Sequence, residues 1–107
     1  MKSTESNTVC IDIDGTICSQ EKPENYSNAV PLDGALETLR KIKKEGYNIV
    51  LFTARHFNHW ETTKKWLKKY NVIYDQIVYG KPTAAYYIDD RAIQFKGDWN
   101  DVFHKIK

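Results

Sequence analysis

The sequence contains few cysteines and no excess of charge of either sign. Its two cysteines, Cys10 and Cys18, lack the spacing of a zinc site and are too few for a disulfide framework. This usage is typical of a reducing compartment, so we expect a cytoplasmic protein. The 16 basic and 14 acidic residues give a formal charge of +2, so composition does not require a nucleic-acid or membrane partner.

Long hydrophobic runs and repeats are also missing. No apolar stretch approaches the ~18 residues of a membrane span, and the opening MKSTESNTV lacks the hydrophobic region of a signal peptide. There is no G-x-G-x-x-G pattern. GKPT at 80–83 is not a P-loop, because Asp75 and Pro82 stand where that motif needs glycine and Ser or Thr.

An apolar content of 41% and 13% aromatic residues are sufficient for a hydrophobic core. We therefore expect one domain over 1–107, with 1–7 flexible and the turn-rich segment 17–31 forming a flap loop. Apolar patterning predicts strands at 8–13, 47–53, 75–80 and 85–89, and helices at 33–46, 58–71 and 97–107. This alternation is typical of an α/β fold: a small Rossmann-like, doubly wound parallel sheet with helices on both faces.

Helix-capping residues and apolar faces support the three predicted helices. Asp33 is a candidate cap for the first, Asn58 with Glu61 for the second and Asp98 for the third. The second helix should bury a face; its members are Trp60, Thr63, Leu67 and Tyr70. The tail helix carries more apolar surface than a small sheet can cover, so it is a candidate contact for a homo-oligomer.

Polar side chains follow each predicted strand. Their positions, in chain order, are Asp12 and Asp14, then Thr53, then Lys81, then Asp89 and Asp90. Because ligands of parallel α/β sheets bind beyond the carboxyl ends of the strands, we expect these groups to meet at one edge.

Such a cluster of carboxylates predicts a cation. Two like charges ~4 Å apart cost about 4 kcal/mol at an effective dielectric near 20, and Mg²⁺ is the divalent ion that best combines few carboxylates with phosphate oxygens. Lys81, the Thr53 hydroxyl and the backbone amides of Gly15 and Thr16 could bind an anion. Together these groups predict a phosphoryl site.

The spacing of Asp12 and Asp14 suggests a division of roles. In an extended strand, residues i and i+2 face the same side. If Asp12 attacks phosphorus, Asp14 is in reach of the leaving group. Asp12 is then the nucleophile, and Asp14 is the general acid and later the base that hydrolyses the aspartyl-phosphate.

These residues resemble the four motifs of the haloacid dehalogenase superfamily: DIDGT at 12–16, VLFTAR at 50–55, YGKP at 79–82 and YYIDD at 86–90. The resemblance implies catalytic roles for Asp12, Asp14, Thr53 and Lys81. It implies Mg²⁺ bound by Asp12, the backbone carbonyl of Asp14, Asp89 and, directly or indirectly, Asp90. Arg55 could bind an anionic substrate or pair with a carboxylate. The substrate-binding candidates at the same edge are Gly15, Thr16, Ala54, Arg55 and Arg91.

Within that superfamily, an aspartate two residues after the nucleophile, as at Asp14, resembles the pattern of the phosphatases and phosphomutases. The gaps between the motifs leave no room for a cap domain, so the chain resembles the capless phosphatases. The resemblance suggests a phosphorylated small-molecule substrate, a sugar phosphate or another intermediate of surface-polysaccharide synthesis. A polynucleotide end phosphatase is the alternative, with nucleic acid as a less favoured partner. A non-catalytic phosphate- or metal-binding regulatory module is an alternative of another class.

Overall fold

The structure, a computed structural model, describes residues 7–106. Residues 1–6, for which we predicted flexibility, and Lys107 lie outside the described residues. Six main elements follow one another along the chain: β1 (Thr8–Ile11), α1 (Ala35–Lys44), β2 (Asn48–Thr53), α2 (Trp60–Lys69), β3 (Gln76–Tyr79) and α3 (Trp99–Ile106). None of the helices in 7–106 is long and apolar enough to cross a membrane.

The strands form a parallel sheet in the order β1–β2–β3. Val9 pairs with Ile49, and Leu51 pairs with Ile77. On the central strand β2, alternate residues Ile49, Leu51 and Thr53 are fully buried, as the period-2 geometry of a strand requires. The predicted α/β fold with a parallel sheet is confirmed.

Helical spacing predicts that α1 buries Ala35, Leu36, Leu39 and Ile42. Ala35, Leu39 and Ile42 are fully enclosed, and Leu36 is only partly buried against the core. The helix contacts β2 and α3. Its N-cap is Gly34, at φ 79°, and no side chain caps it. The prediction of Asp33 as the cap is therefore wrong by one residue, because the chain enters the helix through a left-handed conformation that favours glycine.

Helix α2 begins later than predicted, after a 3₁₀ turn at Phe57–His59. The Asn58–Glu61 capping box does not form, and the Asn58 amide donates instead to His56 Nδ1 at 3.2 Å. Because Trp60 lies at the first position of the helix, it is 42% exposed, whereas Trp66 is 2% exposed and joins the core. Thr63 and Leu67 are buried as expected.

Helix α3 is capped as predicted, since Asp98 Oδ1 accepts the Asn100 amide at 2.9 Å and the Asp101 amide at 3.3 Å. Trp99 is 3% exposed, so the largest side chain of this helix packs within the chain itself. Phe103 and Ile106 pack against the core and are only partly buried. Association of two subunits through α3 stays a prediction.

The prediction of a strand at 85–89 is wrong: this segment has no strand pairing in the structure. Tyr86 is 85%, Tyr87 54% and Ile88 99% exposed. The run Ala-Tyr-Tyr-Ile lacks the apolar–polar alternation of a half-buried strand, and a short apolar run is an ambiguous signal for secondary structure. Asp89 and Asp90 therefore do not lie at the end of a fourth strand.

The segment 17–31 is folded against the body of the protein. It contains a 3₁₀ helix, Pro23–Asn28, and its two ends are joined by the Ser19 amide donating to the Val30 carbonyl at 2.8 Å. The Trp66 indole Nε1 of α2 donates to the Ala29 carbonyl at 2.8 Å. An indole from the sheet-covering helix thus anchors this loop.

Candidate active site

A tight turn follows β1 and places the first two aspartates. The Ile13 carbonyl accepts amides from Thr16, Ile17 and Cys18 at 2.9–3.3 Å, and Gly15 adopts φ 77°. Asp14 consequently does not continue the strand but projects from a closed turn. A turn with this many internal bonds holds its side chains in a fixed direction.

Asp12 comes directly after β1, with its side chain 31% exposed and Oδ2 lying 3.6 Å from Lys81 Nζ. Burial raises the pKa of Asp12 above its ordinary value; Lys81 and the Ile13 amide offset part of this, and the charge of Asp14 adds to it. This carboxylate is thus partly desolvated, reachable from solvent and beside one cation. This combination makes Asp12 a candidate functional carboxylate.

The chain after β3 is joined to the end of β2. The Lys81 amide donates to the Thr53 carbonyl at 2.9 Å, while Thr53 Oγ1 accepts the Arg55 amide at 3.0 Å. A hydroxyl that accepts one bond still has a proton to donate. Three of the four predicted catalytic residues, Asp12, Thr53 and Lys81, are therefore linked at the carboxyl ends of neighbouring strands.

Asp14 is held by Arg55 in a bidentate pair. Arg55 Nη2 lies 2.8 Å from Asp14 Oδ1 and Nε lies 3.0 Å from Oδ2. Burial lowers the pKa of the guanidinium, but the hydrogen bonds and charge of Asp14 more than compensate, so the pKa of Arg55 is raised. Arg55 is only 2% exposed. Of the two roles that the sequence leaves open for it, substrate binding and pairing with a carboxylate, the structure shows the pairing.

The predicted anion-binding amides are engaged inside the turn. The Gly15 amide donates to the Cys18 carbonyl at 2.8 Å and the Thr16 amide to the Ile13 carbonyl at 3.2 Å. An anion would compete with these bonds, which the sequence motif alone does not reveal. Ala54 is exposed next to Thr53, and its part in substrate binding stays a prediction.

Asp89, Asp90 and Arg91 lie in the exposed segment after β3. Asp89 Oδ1 accepts the Arg91 amide at 2.9 Å, and this bond, with a hydrogen bond from Asp90, lowers the pKa of Asp89. Across 7–106 no three or more His, Cys, Asp or Glu side chains are grouped to hold a metal ion. Magnesium binding by the four predicted carboxylates, Asp12, Asp14, Asp89 and Asp90, stays a prediction.

Sequence reasoning missed the residues that surround Arg55. Thr63 Oγ1 on α2 accepts from Arg55 Nη1 at 3.1 Å, and the Tyr26 ring lies 3.9 Å from the guanidinium carbon. Its spacing predicts that Thr63 lies on the buried face of the second helix, and Tyr26 lies in a segment without apolar periodicity. Neither position carries a local signal for contact with a charged group.

Comparisons with known proteins assign the chain to a family. The family model for haloacid dehalogenase-like hydrolases matches residues 9–92. A Bacillus cereus protein named "Putative nucleotidase" is 42% identical over 57 residues, which cover 51% of this chain and 30% of that protein. The chain thus spans less than a third of this curated relative.

Solved structures show the same fold. A protein from Vibrio cholerae is 29% identical, with a TM-score of 0.71 over 94% of this chain and 99% of the other. A chain of the Pnkp1/Rnl/Hen1 RNA repair complex is similar in fold alone, at 22% identity and a TM-score of 0.59, covering 92% of this chain and 30% of that one. With its family model matched over most of its length and its polar residues at the ends of β1 and β2, this chain belongs to the haloacid dehalogenase-like hydrolases.

Proposed function

We propose that the protein is a phosphatase that hydrolyses a phosphomonoester through Asp12. The observation that carries this proposal is the pairing of a partly exposed, partly desolvated carboxylate with Lys81 at 3.6 Å. The neighbouring Thr53 is joined to Lys81 through the backbone at 2.9 Å. A nucleophile beside a fixed positive charge suits an anionic, phosphorylated substrate.

In the first step a carboxylate oxygen of Asp12 forms a bond to phosphorus, and the bond from phosphorus to the ester oxygen breaks. The leaving oxygen takes a proton from Asp14, the general acid. Lys81 and the Thr53 hydroxyl stabilise the charge on the phosphoryl oxygens. Proton donation by a positioned side chain contributes about 10²- to 10⁴-fold to such a step.

In the second step a water molecule attacks phosphorus of the aspartyl-phosphate. Asp14, now ionised, takes a proton from that water, and the bond between phosphorus and Asp12 breaks. Inorganic phosphate leaves, Asp12 is restored as a carboxylate, and Asp14 is again protonated. The same carboxyl group thus serves both half-reactions.

The proposal includes dependence on Mg²⁺. The Asp12 oxygens are ligands of the kind that this ion prefers, and the side chain is 31% exposed, so an ion can reach it from solvent. When bound, the ion would neutralise charge between Asp12 and the phosphoryl oxygens. Ligation by Asp14, Asp89 and Asp90 stays a prediction.

Two classes of small molecule are candidate substrates. A sugar phosphate of surface-polysaccharide synthesis is what the resemblance of this small chain, with IDDRAIQFKGDW at 88–99, to hydrolases of that kind implies. A nucleoside monophosphate is the second candidate, favoured by 42% identity over 57 residues to the protein named "Putative nucleotidase". The likeness to the RNA repair chain concerns fold and does not favour a polynucleotide end over these.

The test is phosphate release by the purified full chain on a panel of sugar phosphates, nucleotides, 5′- and 3′-phosphorylated oligonucleotides and 4-nitrophenyl phosphate. We expect turnover with Mg²⁺, loss with excess EDTA and recovery on adding Mg²⁺. Asp12→Asn should lower kcat by at least about 100-fold, since the amide is not a nucleophile. Asp101→Asn, which alters a surface carboxylate paired with Lys105 at 3.1 Å, is the matched control and should turn over normally.

Failure on the whole panel, with Mg²⁺ present and the protein folded, would refute the phosphatase proposal. Beryllium fluoride separates catalysis from a purely regulatory role, because it mimics the phosphoryl group on an aspartate. We expect it to inhibit turnover and to bind in a manner that Asp12→Asn abolishes. Phosphate binding without any turnover would favour the regulatory module.

A further inference from the structure

The Arg55 side chain is enclosed by three separate elements. Its Nε and Nη2 atoms bind Asp14 in the turn after β1, and its Nη1 binds Thr63 on α2. The Tyr26 ring, from the loop 17–31, lies 3.9 Å from the guanidinium carbon. One buried cation therefore connects the turn, a helix and the loop.

The pair with Arg55 fixes the rotation of the Asp14 carboxylate, which the backbone of the turn leaves free. The terminal torsion of an aspartate is broad and roughly two-fold, so a fixed backbone still leaves the carboxylate plane of Asp14 undetermined. A planar, bidentate guanidinium sets that plane, which a single ammonium cannot do. A general acid works only within hydrogen-bond reach of its target. Because both Asp14 oxygens accept from the guanidinium, Arg55 also stabilises the negative charge that develops on Asp14 as its proton leaves.

The orientation of Arg55 itself depends on the loop. Its Nη1 bond to Thr63 and its two bonds to Asp14 hold the edges of the guanidinium, and Tyr26 covers a face. Tyr26 is 9% exposed, so the loop brings an aromatic ring into a buried contact with the cation. Cation–π contacts are strongest when desolvated in this way.

We propose that Arg55 is a positioning residue for Asp14, and that Tyr26 holds Arg55 in place, so that proton transfer by Asp14 depends on the packing of the loop 17–31. This inference depends on the proposed phosphatase activity and adds residues outside the carboxylate–lysine pair. The loop thereby has a function in catalysis, because its Tyr26 contacts Arg55, which in turn binds Asp14.

The test compares two esters that differ in their need for an acid. Phenolate is a poor leaving group and requires a proton, whereas 4-nitrophenolate leaves without one. For Arg55→Lys, which keeps the charge and loses the fork, we expect kcat/KM for phenyl phosphate to fall about 10-fold more than that for 4-nitrophenyl phosphate. A residue that only maintained the fold would lower both values by the same factor.

Tyr26→Leu provides a second variant that keeps an apolar side chain in the loop. It should change the ratio of the two kcat/KM values in the same direction as Arg55→Lys, by a smaller factor. Phe103→Leu is the matched control, because it removes another aromatic ring that lies over a cation, Lys41, but on α3 and outside the loop. The ratio should be that of the wild type.

Far-ultraviolet circular dichroism and thermal unfolding establish that each variant is folded. If Arg55→Lys does not fold, the ratio measured for Tyr26→Leu decides the question. If folded variants lose the same factor on both esters, or lose nothing, the inference is overturned. The proposal that the protein is a phosphatase would still stand. A wild type inactive on both esters would overturn this inference, whereas the proposed function falls only if no member of the wider panel is hydrolysed.

Discussion

Lys81 Nζ lies 3.6 Å from Asp12 Oδ2, joining the chain after β3 to the end of β1. The contact crosses β2, whose last residue Thr53 accepts the Lys81 amide at 2.9 Å. Lys81 therefore reaches Asp12 from a backbone that is itself hydrogen-bonded to the sheet. A cation positioned in this way can act on both the nucleophile and the group that it attacks.

Replacing Lys81 tests this arrangement. Lys81→Met should lower kcat/KM for 4-nitrophenyl phosphate about 10- to 100-fold, which corresponds to the ≈ 1.5–3 kcal/mol of a hydrogen bond to a charged group. Lys105→Met removes a surface lysine on α3 and is the control, with unchanged kinetics expected. Normal turnover in Lys81→Met would show that the lysine makes only a surface ion pair with Asp12.

Asp75 predicts a pH-dependent contribution to stability. It accepts the Ile49 amide and the Lys43 ammonium at 2.8 Å each, and these bonds, the Ile49 amide first, lower the pKa of Asp75. Its stabilisation is therefore present above the pKa of the unfolded state and is lost as pH falls through the folded-state pKa. We expect Asp75→Asn to cost about 1–2 kcal/mol of unfolding free energy near neutral pH, measured by urea denaturation.

The cost of Asp75→Asn should shrink as the pH falls through the ordinary range of aspartate, about 4 and below. Lys43→Met separates the two bonds, because it removes the exposed ion pair and keeps the bond to Ile49. An exposed pair contributes about 0–1 kcal/mol, so this variant should cost less than Asp75→Asn. A cost for Asp75→Asn that does not vary with pH would contradict the assignment.

The two cysteines should differ in reactivity. Cys10 is exposed on β1, whereas Cys18 is buried in the turn that carries Asp14. Burial, followed by the charge of Asp14, raises the pKa of the Cys18 thiol to about 12, so little thiolate is present near neutral pH. Iodoacetamide should label Cys10 in the native protein and Cys18 only after unfolding, as read by mass spectrometry. Prompt native labelling of Cys18 would show that the turn opens.

The segment after β3 should be the first site of proteolysis. Tyr86 and Tyr87 are 85% and 54% exposed and lie outside any helix or strand. Brief treatment with chymotrypsin should cut after one of these tyrosines, with buried Tyr26 protected until the protein unfolds. Resistance at 86–87, with cutting elsewhere, would show that this segment is paired as a strand, as its sequence had suggested.

Local pattern predicted the parts of the fold that depend on buried, regular elements. Asp12 and Thr53 were correctly placed because β1 and β2 are neighbouring parallel strands whose carboxyl ends coincide. The burial of Ala35, Leu39 and Ile42 followed from helical spacing alone. In β1, β2 and α1, a single periodicity of apolar residues determines both the type of element and the face that is buried.

The rest depends on contacts between distant residues. Arg55 follows Thr53 by two positions, and from the sequence it could either bind substrate or pair with a carboxylate. Its actual direction is set by Thr63 and Tyr26, which contact it from a helix and a loop. The position of Trp60 depended on the start of α2, which a 3₁₀ turn displaced. Such outcomes are set by packing and tertiary hydrogen bonds, which a single sequence does not specify.

The indole of Trp66 connects α2 to the loop that contains Tyr26, through its bond to the Ala29 carbonyl. Because this indole is 2% exposed, any detachment of the loop would wet it and shift its emission to longer wavelength. The protein thus carries an intrinsic optical reporter at the anchor of that loop. In a variant with Trp60→Phe and Trp99→Phe, Trp66 is the remaining tryptophan of the three, and its spectrum would follow loop opening without any added dye.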